Sequence, residues 1–389
     1  MKFFVSGRQE TEQILQNSIT TLDRVIWFHT ASLGEFEQGL PVMEKVKEDY
    51  PDHKILVTFF SPSGYEVKKN SQVADVTCYL PMDNKRKVNR FLELSRPELA
   101  IFVKYEIWPN YLRELENRQI PAILISGIFR ERQIYFKPWG SFMRKALKRF
   151  RHLFVQDERS VELLKSIAIT NAEVSGDTRF DRVAAILERE NRLEFMDAFK
   201  GDATCVVAGS TWPEDEEIMM DFVNQNASQK LKFVLAPHNI KTAGISKLRE
   251  KIKVPFVLYS GMSDAGLKEA QVLILDTIGV LTRVYSYADI AYVGGGMGTT
   301  GLHNTLEPSV FGVPVIIGKN YEGFLEAEEL VRLGGVHSVK SKSEFEEILR
   351  QFLTDKNFTE KVGALNTSYI EKKKGAMIQI ACFIRKIVK

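Results

Sequence analysis

The chain has little cysteine, little net charge and no long apolar run, and each shortage excludes a class of protein. Its 389 residues contain three cysteines, far apart and without CxxC spacing: Cys78, Cys205 and Cys382. They form neither a zinc motif nor a disulfide framework, so we expect a reducing compartment. The net charge of +3 is too small to indicate a nucleic-acid partner. Because the apolar runs are only strand-sized, we expect neither a membrane span nor a signal peptide.

The length of 389 residues exceeds what one hydrophobic core usually supports and predicts two domains. Short β-rich runs such as RVIWFHT alternate with turns and helical stretches, as in a parallel sheet covered by helices on both faces. A charged helical stretch over 182–201 interrupts this pattern, which then restarts. We predict an α/β protein of two Rossmann-like, doubly wound domains, 1–185 and 186–389, that face each other across a cleft. We expect the last helix to pack back on the first domain.

The most informative segment of the predicted second domain is YVGGGMGTTGLHNTLEPSVFGVPVIIG, which begins at Tyr292. A strand runs into a glycine-dense loop, and HNTLEP then opens a helix. Glycines let the backbone approach a ligand, and N–H groups at a helix start attract an anion such as phosphate. Glu307 lies one turn after Asn304 and has a carboxylate suited to the two hydroxyls of a ribose. The alternative is a glycine-rich turn with an acidic residue that complements the helix dipole, but the whole pattern favours nucleotide binding.

Three other loops of this domain follow predicted strands and converge on the same cleft. AGSTWPEDEE is typical of a capped helix start, LAPHN contains a proline and a histidine, and DTIGVL offers exposed backbone. Each pattern is weak alone, because capping boxes are common and a single histidine is more often structural. The candidate binding residues in these loops are Ser210, Thr211, Pro237, His238, Ile278, Gly279 and Val280.

Charged residues also follow three strands of the predicted first domain. In HTASLGEFEQG a strand and a tight turn precede Glu35, which we expect to place its carboxylate in the interdomain cleft. A sugar hydroxyl is a weak acid, so a transferase benefits from a positioned carboxylate base. The alternative is a glutamate that only stabilises its helix dipole. FVKYEIWPN supplies a second acid, Glu106, and SGDTRFD supplies Arg179, a fixed cation suited to phosphate or carboxylate.

Basic and aromatic residues alternate over 130–152, RERQIYFKPWGSFMRKALKRFRH, with Glu131 as the only acid. This composition suits an anionic lipid surface or a phosphorylated lipid acceptor. The alternative is a solvated basic helix over aromatic residues of the core. The aromatic residues concerned are Tyr135, Phe136, Trp139, Phe142 and Phe150.

Taken together, these motifs resemble one family. SLGEFEQGLPV, EIWPN, VQDE, SGDTRFDRV, AGSTWPEDEE, DTIGVL and GLHNTLEPSVFGVPVI stand in the order and spacing of the transferases of 3-deoxy-D-manno-octulosonic acid (Kdo), over nearly the whole chain. The resemblance implies a GT-B glycosyltransferase that moves Kdo from CMP-Kdo to the lipid A precursor. It also implies inversion without a metal ion, no cofactor beyond the donor substrate, and a place at the cytoplasmic face of a bacterial inner membrane.

The resemblance also implies residue roles. Glu35 would be the general base, with Glu106 and Arg179 supporting the transition state. CMP would be held by the loop residues named above together with Asn304, Thr305, Leu306 and Glu307.

The sequence departs from the family pattern at three places. The usual apolar anchor does not precede MKFFVSGRQE, the usual Pro-Arg reads Pro237–His238, and the usual lysine reads Arg179. Because guanidinium and ammonium groups differ in geometry, the phosphate contacts are expected to differ as well. Two rival functions are a nucleotide-sugar 2-epimerase and a GT-B-like scaffold that binds without turnover.

Overall fold

A computed structural model describes residues 2–388 of the chain, and the side chains from residue 7 onward. The polypeptide forms two compact units. One contains the residues up to Arg182 together with those from Lys373 onward, and the other is Val183–Lys372. Each unit is built on its own parallel sheet.

The first unit contains a seven-stranded sheet in the order β3-β2-β1-β4-β5-β6-β7. Its strands are β1 (Arg24–Thr30), β2 (His53–Phe59), β3 (Val76–Tyr79), β4 (Pro97–Val103), β5 (Ala122–Gly127), β6 (His152–Val155) and β7 (Ala172–Val174). The accompanying helices are α1 (Lys2–Ser18), α2 (Leu33–Asp49), α3 (Pro62–Lys68), α4 (Lys85–Ser95), α5 (Pro109–Asn117), α6 (Ser141–Leu147), α7 (Glu158–Ser166) and α8 (Thr178–Ala184).

The second unit repeats this architecture with the strand order β10-β11-β9-β8-β12-β13-β14. Its strands are β8 (Thr204–Thr211), β9 (Leu231–Pro237), β10 (Phe256–Leu258), β11 (Val272–Ile274), β12 (Ile290–Val293), β13 (Val315–Gly318) and β14 (Val336–Val339). Its helices are α9 (Glu194–Lys200), α10 (Pro213–Asn226), α11 (Thr242–Lys251), α12 (Asp264–Glu269), α13 (Leu281–Val284), α14 (Leu306–Ser309), α15 (Leu325–Leu333), α16 (Lys342–Thr354) and α17 (Lys356–Lys373).

Strand β1 shows why apolar runs of this kind form central strands. Successive side chains of a strand point to opposite faces of the sheet. Accordingly, Val25 and Trp27 belong to one buried cluster, whereas Ile26 and Phe28 belong to the cluster on the other face. Burying one such side chain contributes about 2 kcal/mol, so a strand that is apolar at every position is stable only with both faces covered.

The last helix, α18 (Ala376–Ile387), packs in the first unit. Ile380 and Ile384 join the cluster of Ile26 and Phe28 with no exposed surface. At the start of this segment the Asp181 carboxylate accepts the backbone N–H of Gly375 at 2.8 Å. The sheet of the first unit is therefore covered in part by residues from the other end of the chain.

Two predicted elements are shorter than the sequence suggested. The stretch 182–201 is not one helix: α8 ends at Ala184, a 3-10 turn follows over Ala185–Glu188, and α9 begins only at Glu194. Leu193 between them is extended, and the Tyr287 hydroxyl accepts its N–H at 2.8 Å. The Leu193 N–H therefore bonds to a distant side chain and not to a carbonyl group one helical turn earlier. The apolar run PFVLYS, which begins at Pro255 and has the pattern of a six-residue strand, is likewise a strand only over Phe256–Leu258 before the chain makes a 3-10 turn.

Candidate functional site

Glu35 lies at the carboxyl edge of the first sheet, in the first turn of α2. Only 5% of the residue is exposed, and its carboxylate accepts the backbone N–H of Ala31. Burial, followed by the charge of Glu106, raises its pKa from 4.5 to about 7, against smaller opposing effects of the Ala31 N–H and Lys104. The group is therefore divided between acid and carboxylate near neutral pH, which suits a general base.

Glu106 lies on the loop between β4 and α5. One carboxylate oxygen, Oε2, accepts the indole N–H of Trp108 at 2.9 Å and lies 3.4 Å from Nε2 of His29. The side chain is 13% exposed. Because its charge raises the pKa of Glu35, the structure brings together the two acids that the sequence singled out.

Arg179 lies in the first turn of α8, where it is paired within the protein. Its guanidinium Nη2 lies 2.8 Å from Asp177 Oδ2, and the backbone N–H of Arg179 donates to the same carboxylate. The amide of Gln38, on α2, reaches Asp177 at 3.3 Å. This network connects Arg179 to the helix that contains Glu35. A ligand anion would therefore have to share Arg179 with Asp177.

Aromatic rings stack at the carboxyl edge of the second sheet. Pro237 ends β9, and the ring of the next residue, His238, lies 4.7 Å from Trp212 at an interplanar angle of 19°. His303 continues the stack at 4.5 Å from His238 and accepts the Trp212 indole N–H on Nε2 at 3.3 Å. Burial, and then His238, lower the pKa of His303. Trp212 was not among the predicted binding residues, because its segment showed only the pattern of a capped helix start.

The glycine-rich loop after β12 binds a carboxylate of the protein itself. Asp215, with no exposed surface, accepts the backbone N–H groups of Gly295 at 2.8 Å and Met297 at 3.3 Å. A Cβ on Gly294 would lie 2.3 Å from the carbonyl oxygen of Ser210. The N–H groups of Gly295 and Met297 are thus bound within the protein, and Gly294 allows close packing against the backbone of Ser210.

Glu307 is held on both carboxylate oxygens. Thr282 donates to Oε2 at 2.8 Å, and the Asn304 side chain donates to Oε1 at 3.1 Å. The neighbouring Thr305 and Leu306 have at most 1% exposure, so their side chains lie in the core. Helix α14 begins at Leu306 and is only four residues long, so its dipole gives little support to an anion.

The remaining predicted binding residues occupy the same edge of the second sheet. Ile278 is 83% exposed, and Gly279 has φ +94°, a conformation that favours glycine. Val280 directly precedes α13. Ser210 has φ +53° at the irregular end of β8, whereas Thr211 is buried and donates to Glu216 at 3.3 Å. The backbone of 278–280 is therefore the accessible part of this set.

The basic and aromatic segment 130–152 divides into two groups. Tyr135 and Phe150 are buried in the core, as the solvated-helix alternative requires. Trp139 and Phe142 are 73% and 63% exposed, as a lipid-facing surface requires. Within residues 2–388, none of the helices is both long and apolar enough to cross a bilayer.

The two doubly wound sheets, with candidate residues at their carboxyl edges, define the GT-B class of fold. The UDP-GlcNAc 2-epimerase of Neisseria meningitidis, solved with UDP-GlcNAc, superposes with a TM-score of 0.60. The match covers 92% of this chain and all of that one at 16% identity, a likeness that shows the fold alone.

The sequence comparisons identify the family within that class. The family model described as 3-deoxy-D-manno-octulosonic-acid transferase (kdotransferase) matches residues 6–182. A 3-deoxy-D-manno-octulosonic acid transferase of Aquifex aeolicus is 30% identical over 370 residues, which cover 92% of this chain and 95% of the relative. Its counterpart in Haemophilus influenzae is 27% identical over 90% of this chain and 84% of the relative. The chain therefore belongs to the Kdo transferase family of glycosyltransferase enzymes.

Proposed function

We propose that the protein transfers Kdo from CMP-Kdo to the lipid A precursor, with inversion at the anomeric carbon and without a metal ion. Family membership supports the transfer of Kdo. The observation that carries the mechanism is the buried Glu35, whose pKa is raised to about 7 beside a second acid. Donor, acceptor and stereochemistry are what the family resemblance implies.

Glu35 is the proposed general base. Its carboxylate takes the proton of an acceptor hydroxyl while that oxygen forms a bond to the anomeric carbon of Kdo. The bond from this carbon to the phosphate oxygen breaks on the opposite face, and CMP leaves with the electron pair. A base is most effective when its pKa is close to the working pH, because it is then both ionised and basic. The raised pKa of Glu35 meets this condition.

The leaving group needs little acid catalysis, because CMP departs as a phosphate ester that is already a stable anion. In the proposed mechanism Glu106 and Arg179 support the transition state, and the carboxyl edge of the second sheet holds CMP. Glu307, fixed by Thr282 and Asn304, would accept the ribose hydroxyls, and the exposed backbone of 278–280 would contact the nucleotide. His238 supplies a nitrogen where the family usually has arginine.

The acceptor is a lipid, so we propose that the protein works on the cytoplasmic face of the inner membrane. The exposed Trp139 and Phe142 support this proposal. Aromatic rings enter the headgroup region of a bilayer, and neighbouring Lys and Arg residues attract anionic lipids.

The test measures CMP release from CMP-Kdo in the presence of a tetraacylated lipid A precursor. We expect acceptor-dependent release by the wild type that survives EDTA, a product of inverted anomeric configuration, and a loss of at least a hundredfold in Glu35→Gln. Glu44→Gln is the matched control, because Glu44 is an exposed acid of the same helix. Absence of release by the wild type would refute the transfer, equal release by Glu35→Gln would refute the base, and inhibition by EDTA would refute metal independence.

A further inference from the structure

A chain of buried polar groups runs through the first sheet and ends at Glu106. Thr58 and His29 are neighbours in register on β2 and β1, and both are fully buried. The indole N–H of Trp27 donates to Thr58 Oγ1 at 2.8 Å, and this hydroxyl lies 2.9 Å from Nδ1 of His29. The other imidazole nitrogen, Nε2, lies 3.4 Å from Oε2 of Glu106.

The hydrogen-bond donors among these groups determine which nitrogen of His29 has the proton. An indole N–H can only donate, so the Thr58 oxygen accepts from Trp27 and has its own proton to give. The His29 Nδ1, at 2.9 Å, is the nearest acceptor of that proton, since the Phe28 carbonyl is 3.4 Å away. A neutral imidazole that accepts on Nδ1 has its proton on Nε2. That N–H is then on the nitrogen that faces Glu106.

The Nε2 nitrogen of His29 lacks a hydrogen-bond acceptor in the described part of the protein. This nitrogen is buried, and leaving such a donor unpaired is destabilising. Its nearest carboxylate, Glu106, already accepts the Trp108 indole N–H. Oε2 of Glu106 therefore has one bonded N–H donor and, 3.4 Å away, the His29 nitrogen that still needs an acceptor.

We propose that His29 is a positioning residue that presents its Nε2–H to the Glu106 carboxylate and so holds this group in place beside Glu35. The inference rests on the proposed function, since it assigns the geometry that makes Glu35 a base. Through Glu106, His29 controls how strongly Glu35 holds its proton. His29 itself exchanges no proton with the substrate.

Other groups face the two acids and set the background against which His29 acts. Lys104 lies near Glu35 and lowers its pKa, whereas the charge of Glu106 raises it. Tyr105 lies near both acids, and Tyr135, whose pKa is raised to about 12 mainly by burial, lies near Glu106. Both tyrosines stay neutral near pH 7, so the charged neighbours of Glu35 are Lys104 and Glu106. Displacement of the Glu106 carboxylate from its place should therefore lower the pKa of Glu35.

The first experiment compares His29→Phe with the wild type. Phenylalanine preserves the aromatic packing against Trp27, Phe102 and Trp108 but removes both nitrogens. Two readouts follow the ionisation of Glu35. The first is the acid limb of the kcat/KM profile. The second is the infrared carbonyl band of protonated Glu35, assigned as the titrating band that disappears when Glu35→Gln is introduced into the same wild-type or variant protein. We expect both midpoints to fall by about one pH unit and the plateau rate to fall about tenfold, as a weaker base requires.

His53→Phe is the matched control. His53 is also a buried histidine of the first sheet, and its Nε2 lies 3.4 Å from a carboxylate oxygen of Glu98. His53 is the first residue of β2, whereas Thr58 lies near the carboxyl end of the same strand. Its substitution should leave both midpoints where the wild type has them. An equal shift in His53→Phe would overturn the inference, because the effect would then be one of general packing.

A second pair of variants decides the matter if His29→Phe does not fold. The Gln amide reaches about as far as Nε2, and the Asn amide only about as far as Nδ1, so His29→Gln should retain the wild-type midpoint and His29→Asn should not. Identical midpoints in all His29 variants and the wild type would overturn the inference. The infrared midpoint does not depend on turnover, so it tests His29 even if the proposed function fails.

Discussion

Asp215 accepts the backbone N–H of Gly295 across 2.8 Å, which fastens the first turn of α10 to the glycine-rich loop after β12. The same carboxylate accepts the N–H of Trp212 at 2.9 Å and the hydroxyl of Tyr292 at 2.7 Å. The buried Asp215 side chain thereby holds both the glycine-rich loop and the start of α10 in place. Trp212, which directly precedes α10, belongs to the aromatic stack.

We expect Asp215→Ala to be severely destabilising. It leaves buried donors on Gly295, Trp212 and Tyr292 unpaired, and each lost partner costs roughly 1–3 kcal/mol. Urea unfolding should show a loss of at least about 3 kcal/mol in the second unit. Asp221→Ala is the control: this exposed acid of α10 pairs with Lys342 on the surface, and its loss should cost far less stability. Similar losses in both variants would contradict the role of Asp215.

Stability should depend on the ionisation of Glu35. A carboxyl whose pKa is higher in the folded chain favours folding at low pH, and that contribution disappears as the pH rises through the folded pKa, here about 7. Between about pH 4.5 and pH 8 the wild type should therefore lose about 3 kcal/mol relative to Glu35→Gln. Denaturant unfolding of both proteins across this range measures the difference. The difference in free energy of unfolding between the wild type and Glu44→Gln should not change with pH. A difference between the wild type and Glu35→Gln that is equally independent of pH would contradict the raised pKa.

His303 should be a neutral Nδ1–H tautomer at neutral pH. Its Nε2 accepts the Trp212 indole N–H, so the ring proton belongs on Nδ1, and burial lowers its pKa. Nitrogen-15 spectra of histidine-labelled protein distinguish the tautomers. Trp212→Phe maintains a ring over His238 but removes the donor, so the His303 signals should shift towards a mixture of forms. Unchanged tautomers in this variant would show that Trp212 does not set them.

Trp139 and Phe142 should govern attachment to bilayers. We expect Trp139→Ala with Phe142→Ala to lower binding to anionic vesicles at least tenfold, because two exposed aromatic rings are lost from a basic surface. Cosedimentation with vesicles of phosphatidylglycerol and phosphatidylethanolamine measures this. Leu22→Ala is the control, since Leu22 is 91% exposed but lies outside the segment. Equal binding by all three proteins would exclude this surface as the attachment site.

The α/β class and both sheets were predictable because continuous apolar runs such as β1 need cover on both faces. The motifs also singled out Glu35 and Glu106, since each comes soon after a strand, and the fold then places it at a carboxyl edge of the sheet. The same local signal does not say what such a residue contacts. Arg179 pairs with Asp177, which stands two positions earlier and was not singled out.

The sequence alone could not provide contacts between distant segments. Asp215 looked like one of several acids in a helix start, yet it binds a loop 80 residues further on. The glycines of that loop suggested a ligand because close backbone packing and ligand approach require the same residue. The family resemblance grouped Thr305 and Leu306 with Glu307, and it does not say that the fold buries both of their side chains.

The return of α18 to the first unit has a consequence for the order of events during synthesis. The second unit is one uninterrupted stretch, Val183–Lys372, so every residue it needs has been made before α18 exists. The first unit, although begun earlier, lacks Ile380 and Ile384 of its core until the ribosome has passed residue 384. Of these two units, the one begun first is therefore completed second, and a premature stop after residue 372 leaves that unit without part of its core.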